Sequence, residues 1–194
     1  MYRSGGDIMK IFEETLKEAP IIKRGDYPYV IHPITDGIPE IKPELLEEIT
    51  SEMIKILENY EPFDKIVTME AMGIPLATSI SIKTGKPFTI IRKRSYGLPG
   101  EVEVKQVTGY SKSKMYINGL KTGDTIVIVD DVLSTGGTLR AILEALKGMN
   151  VNVKTVIVAL DKGNVSLDVE EDTGTPIHSL LHINVKDMKV IIEK

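Results

Sequence analysis

The segment Ile126–Thr138, IVIVDDVLSTGGT, constrains this chain more than any other. Ile126 to Val129 is an unbroken apolar run, the pattern of a strand buried on both faces. Asp130 and Asp131 are expected to emerge at its carboxyl end. Ser134, Thr135, Gly136, Gly137 and Thr138 then turn into a helix predicted over Gly137–Met149, with Leu139, Ile142, Leu143 and Leu146 on its inner face. In open α/β sheets, ligands sit beyond the carboxyl ends of strands. Glycines there let backbone N–H groups approach an anion, and a helix N-terminus adds partial positive charge and unpaired donors. Such a loop suits a phosphate monoester. Two adjacent carboxylates would repel a triphosphate but can accept hydrogen bonds from sugar hydroxyls. The loop lacks the Gly-Lys-Ser/Thr ending of a Walker A motif and does not match G-x-G-x-x-G. An ordinary strand-turn-helix would explain the capping residues, but not their coincidence with the acid pair and both glycines.

The flanking sequence repeats the same alternation. Lys65–Met69 reads as a strand, Ile74–Thr84 as a helix stopped by Gly85, Phe88–Arg92 as a strand and Val153–Leu160 as a buried strand. This order predicts an α/β fold: an open, mostly parallel sheet flanked by helices. Upstream, Lys10–Ala19 is amphipathic, and Ile21–Lys42 is proline-bearing and reads as extended. Pro43–Tyr60 reads as a helix with a stripe of Leu46, Ile49, Met53, Ile56, Leu57 and Tyr60. Residues 93–113 are polar and contain glycines, predicting a loop long enough to be functional or mobile. The 194 residues fit one domain, with 1–8 (MYRSGGDI) read as a frayed terminus or a leader before Met9.

Composition removes several classes of function. Cysteine is absent, which excludes a thiolate zinc site and a cysteine nucleophile. The formal net charge of −4 supplies no field for nucleic acid. No run of about 18 apolar residues suggests a membrane span, so a cytoplasmic protein is expected. His32, His178 and His182 show no metal-ligand spacing.

VIVDDVLSTGGT resembles the 5-phosphoribosyl-1-pyrophosphate (PRPP) signature of type I phosphoribosyltransferases. The resemblance implies that Asp130 and Asp131 hold the ribose 2′- and 3′-hydroxyls, and that Ser134, Thr135, Gly136, Gly137 and Thr138 hold the 5′-phosphate. Thr68–Gly73 follows the first sheet strand, and its spacing from the phosphate loop resembles the family's pyrophosphate loop. Glu70, Ala71, Met72 and Gly73 are thus implied at pyrophosphate. Arg92–Gly100 resembles the RK-x-x-x-LPG segment of adenine phosphoribosyltransferases, which adds Arg92 and Lys93 to pyrophosphate binding. The implied catalytic residues are Asp130, Asp131 and Arg92. Mg²⁺ is the implied cofactor, held mainly by PRPP and water, with no protein ligand assigned. A closing loop would shield the oxocarbenium-like transition state from water.

The base is less constrained. Adenine enzymes carry Arg where this chain has Met72, whereas xanthine enzymes carry a near-identical Glu-Ala-Ser-Gly. Gly109–Lys114 also resembles the xanthine enzymes. Ser134 stands where eukaryotic hypoxanthine-guanine enzymes have an Asp, so the general base is left open. Lys162 resembles the lysine that reads O6 in 6-oxopurine enzymes; Lys162 and Leu133 are the expected base contacts. A small hood from about 21–43 and 175–192 is expected over them. The combination resembles archaeal-type hypoxanthine/guanine phosphoribosyltransferases, implying purine salvage with IMP or GMP and pyrophosphate as products, and a homodimer as the working assembly. Adenine or xanthine as the substrate, or a PRPP- or purine-sensing transcription regulator on the same fold, are the alternatives.

Overall fold

The structure is a computed structural model, and it describes residues 9–25, 27–107 and 112–193. In chain order the elements are α1 (Lys10–Lys17), β1 (Ile21–Arg24), β2 (Tyr27–Val30), α2 (Pro33–Asp36), α3 (Pro43–Leu57), β3 (Lys65–Met69), α4 (Gly73–Thr84), β4 (Phe88–Ile91), β5 (Val102–Val107), β6 (Lys112–Ile117), β7 (Thr125–Leu133), α5 (Gly137–Gly148), β8 (Asn152–Lys162), α6 (Val165–Thr173), β9 (Ile177–Lys186) and β10 (Lys189–Glu193). Six strands form the central sheet in the order β10-β9-β8-β7-β3-β4. It is parallel throughout except for β10, which runs antiparallel to β9 at one edge.

The apolar run of β7 is shared between two cores, as the two-residue side-chain period of a strand requires. Val127 and Val129 face α1, α3 and α4 with Phe12, Leu16, Ile49, Met53, Leu76 and Ile80. Ile126 and Ile128 face α5 with Leu139, Ile142 and Leu146. Fully burying such side chains contributes about 1.5–3 kcal/mol each, and the double coverage pins β7 at the sheet centre. Pro43 opens α3 from its first turn, and Gly85 closes α4 in the left-handed region at φ 71°. The inner face of α3 includes Leu45 and Thr50 in place of the expected Leu46 and Ile56, which are only partly buried.

Three expectations need correction. The loop expected over 93–113 contains most of an antiparallel hairpin, β5 with β6, joined to the end of β4 by paired backbone bonds between Arg92 and Tyr116. Its core-facing residues alternate: Val104, Met115 and Ile117 are buried between polar neighbours. Gly109, Tyr110 and Ser111, part of the segment likened to xanthine enzymes, fall outside the described residues, as do residues 1–8. The carboxyl end of β7 lies at Leu133 rather than at the acid pair, because Asp130, Val132 and Leu133 still pair with Val158, Leu160 and Asp161 of β8. Finally, the segment expected in the hood at 175–192 supplies β9 and β10 of the central sheet itself. Among the described residues, no helix is long and apolar enough to cross a membrane.

Candidate active site

β7 carries both acids into the interior: Asp130 and Asp131 are each only 8% exposed. Burial raises the Asp130 carboxyl well above the usual carboxylate range, and the adjacent Asp131 charge adds to the shift. The Asp131 carboxyl is pushed up to about 6, again chiefly by burial, with Asp36 adding and Lys162 opposing. Two buried acids with so few partners are costly in the free protein.

Asp130 lines a cavity of about 370 Å³ together with Met69, Glu70, Lys93, Ser134, Thr135, Gly136 and Thr138. The first sheet strand, the basic segment and the phosphate loop thus converge on one space. Gly136 sits at φ 72° as the residue that leads into α5. It fits against Arg140 and Val169, where a Cβ would collide. Arg140 then braces the loop from behind: its Nη1 donates to the Thr135 carbonyl at 3.2 Å, and its Nε lies 2.7 Å from Asp172 Oδ2 of α6.

The Thr68–Gly73 turn closes the opposite wall. Glu70 Oε2 accepts from the Lys93 backbone N–H at 3.1 Å and lies 3.1 Å from Arg92 Nε. Met72 packs beside Gly37, its Cε 3.6 Å from where a Cβ on Gly37 would sit. Ala71 is exposed. The basic turn after Arg92 is fastened by Glu101, which accepts from Asn118 Nδ2 (2.8 Å), Ser95 Oγ (2.5 Å) and the Tyr96 and Gly97 N–H groups (2.9 and 3.2 Å). These bonds, that from Asn118 foremost, hold its carboxyl down at about 2.

Lys162 ends β8 and lines a second cavity, about 240 Å³, with Tyr27, Pro28, Val30, Ser134, Ile183, Asn184 and Val185. Ser134 is a wall of both cavities, so they adjoin. Leu133, expected at the base, lines the first cavity instead and packs in the α5-side core. The far end of β9 therefore faces β2 across the Lys162 cavity even though it belongs to the sheet. A cavity of about 530 Å³ between α5 and α6, lined by Arg140, Lys147 and Asp172 among others, holds none of the site residues expected from the sequence.

Several contributors escaped the sequence reading. Asp36 sits in a proline-bearing stretch without periodicity, Arg140 is one turn beyond the phosphate motif, and Glu101 follows a proline-glycine turn. Only Arg140 had a usable signal, since its spacing from Gly136 returns it to the loop after one helical turn.

The sheet order, the acid pair within β7 and the glycine-hydroxyl loop that follows it together define the type I phosphoribosyltransferase fold. Residues 40–192 match the family model described as the phosphoribosyl transferase domain, and the chain belongs to that family as a pentosyltransferase. It is 54% identical over 181 residues to the hypoxanthine/guanine phosphoribosyltransferase of Methanocaldococcus infernus, covering 93% of this chain and 98% of the relative. The enzyme of the same name from Methanocaldococcus jannaschii is 51% identical over 182 residues, covering 94% and 99%. Among solved structures, adenine phosphoribosyltransferase from Leishmania tarentolae superposes with a TM-score of 0.74 at 18% identity, covering 94% of this chain and 90% of that one. The adenine enzyme of Thermoanaerobacter pseudethanolicus gives 0.71 at 22% identity, covering 88% and 98%. At these identities the structural likeness speaks to the fold alone.

Proposed function

We propose that this chain transfers the 5-phosphoribosyl group of PRPP to hypoxanthine and guanine, forming IMP and GMP and releasing pyrophosphate in purine salvage. The observation that carries this reading is the pair of adjoining cavities that share Ser134, one holding Asp130, the phosphate loop, Glu70 and Lys93, the other holding Lys162. The names of the archaeal relatives support the choice of base.

In this reading the backbone N–H groups and hydroxyls of Ser134–Thr138 hold the 5′-phosphate at the start of α5. Asp130 and Asp131 accept from the ribose 2′- and 3′-hydroxyls. Arg92, Lys93 and the Glu70–Gly73 turn take the pyrophosphate, with Arg92 exchanging Glu70 for the substrate as charge builds on the leaving oxygen. The C1′–O bond breaks as the base nitrogen bonds to C1′, and the nitrogen's proton leaves to solvent. Hard oxygen ligands suit Mg²⁺, and the buried acid pair provides such oxygens beside the ribose hydroxyls. In this reading the ion is held largely by PRPP and water. Its contribution would be to neutralise the departing pyrophosphate. We further propose a cytoplasmic homodimer in which the Arg92–Arg94 turn, with Lys93 and Arg94 exposed, faces the neighbouring subunit, and a hood formed by residues 21–43 with the end of β9.

The direct test is product identification. With PRPP, Mg²⁺ and hypoxanthine, the protein should yield IMP and pyrophosphate in equal amounts. PRPP consumption without nucleotide, or none at all, would overturn the proposal.

A further inference from the structure

Lys162 is the one residue so far placed at the base, and a single donor cannot by itself separate the 6-oxopurines from one another. Among the described residues its ammonium has no carboxylate within 4.0 Å and no hydrogen bond. It lies 5.2 Å from the centroid of the Tyr29 ring. The Tyr29 hydroxyl donates at 2.7 Å to Asp36 Oδ1. Oδ2 of the same carboxylate accepts from Thr35 Oγ1 at 2.6 Å and from the His32 N–H at 3.1 Å. One aromatic side chain thus spans an unpaired ammonium and a fixed carboxylate.

The short helix that carries Asp36 packs against β7, and Gly37 beside it faces Met72 of the pyrophosphate turn. The carboxylate is therefore held near both the acid pair and Lys162, and its charge acts on Asp131 and on Lys162. Its ionised form is favoured there: burial opposes it, but the bonds from Thr35, Tyr29 and His32 and the charge of Lys162 outweigh burial and keep the carboxyl below its ordinary value. A carboxylate oxygen has two lone pairs. Oδ2 has used both, while Oδ1 has used one on Tyr29 and keeps the other.

We propose that Asp36 is the second specificity-determining residue of the base site, its free Oδ1 lone pair accepting from the N1–H or 2-amino side of the 6-oxopurine whose O6 is read by Lys162. The inference rests on the reading of Lys162 given above. Hypoxanthine and guanine present an acceptor at O6 beside a donor at N1, which matches an ammonium beside a carboxylate. Adenine presents the reverse order. Xanthine keeps the O6 and N1–H pair but adds a 2-oxo oxygen, and an ionised carboxylate has no proton to offer it. Asp36 thus adds what Lys162 cannot: rejection of a 2-oxo group while hydrogen or an amine is admitted at that position.

The test compares kcat/KM for guanine, hypoxanthine, xanthine and adenine at saturating PRPP in wild type, Asp36→Asn and Tyr29→Phe. Asp36→Asn should lower the value for guanine about 10- to 100-fold and raise the xanthine-to-guanine ratio by about tenfold or more, since an amide can also donate. KM for PRPP should stay within about twofold. Tyr29→Phe leaves the carboxylate in place and should preserve the ranking of the bases. Asp36→Ser keeps a partner for Tyr29 and carries the same expectation as the amide, should that variant fold poorly. An unchanged xanthine-to-guanine ratio in both Asp36 variants would overturn the inference. So would a Tyr29→Phe enzyme that reproduces the altered ranking, since the carboxylate would then only brace the hood. A wild type that prefers adenine is a separate outcome: it contradicts the Lys162 reading and removes this inference with it.

Discussion

Gly73 is packed so closely on Asp130 that a Cβ at position 73 would collide with the Asp130 Oδ1 oxygen, and with Thr68 Oγ1 beside it. The turn implied to bind pyrophosphate and the acid implied to bind ribose are therefore set against each other through a missing side chain. Gly73→Ala should displace the acid or the turn. Overpacking of this kind costs about 1–3 kcal/mol of stability, and we expect kcat/KM to fall at least about 100-fold because the misplaced group is at the reacting end of the substrate. Thermal unfolding together with steady-state kinetics checks both halves. A variant with wild-type kinetics would show that the close approach has no functional consequence.

Replacing both acids should separate stability from activity. Asp130→Asn with Asp131→Asn removes charged hydrogen bonds to two hydroxyls, each worth about 1.5–3 kcal/mol, so transfer should be nearly abolished. The same variant should unfold at a higher temperature than wild type at neutral pH without ligand, because it no longer has to ionise buried carboxyls. Differential scanning calorimetry and an IMP assay read the two effects.

The pH dependence follows from the same pair. Their folded-state values are raised, Asp131 to about 6 and Asp130 further from its usual range in the same direction. A raised acid binds more protons folded than unfolded, so stability falls as pH rises. For Asp131 the loss should run from about pH 4, the ordinary carboxylate value, to about 6, and Asp130 extends it upward. Unfolding midpoints of the ligand-free protein between pH 4 and 8 should show this decline, and the double Asn variant should lose it. An equal slope in both proteins would reject the assignment of the shift to these acids.

Gly136→Val should impair folding as well as PRPP binding. From the sequence alone the glycine serves the approach of phosphate, and a substitution there is expected to cost PRPP binding more than stability. In the structure the added Cβ meets Arg140 and Val169, and φ is 72°. Both α5 and α6 would be disturbed, so calorimetry should find a lower unfolding temperature alongside weakened PRPP affinity. Loss of affinity at unchanged stability would restore the simpler reading.

How much of this was legible in the sequence depends on where the determining contacts lie. β7 and α5 were readable because continuous apolar residues and a local glycine-hydroxyl turn carry their own signal. The β5–β6 hairpin was not read as one: Val102 and Val104 alternate with charged residues in the two-residue period of a strand, but the glycines and charges around them point to a loop. The acid pair stands out in the sequence, but the extension of β7 to Leu133 depends on pairing with β8, which no local pattern reveals. Asp36 and Lys162 are distant in sequence and meet only through the ring of Tyr29. Their relationship could be seen only after folding.

The most direct measurement is the ranking of bases by wild type and by Lys162→Gln at saturating PRPP and Mg²⁺. The ammonium of Lys162 donates and cannot accept, so wild type should use hypoxanthine and guanine far better than adenine. Lys162→Gln should lower kcat/KM for both about 10- to 100-fold while leaving PRPP affinity nearly unchanged, and Lys162→Ala should be worse. An enzyme that prefers adenine, or a Lys162→Ala variant with the wild-type ranking and rates, would contradict the central claim.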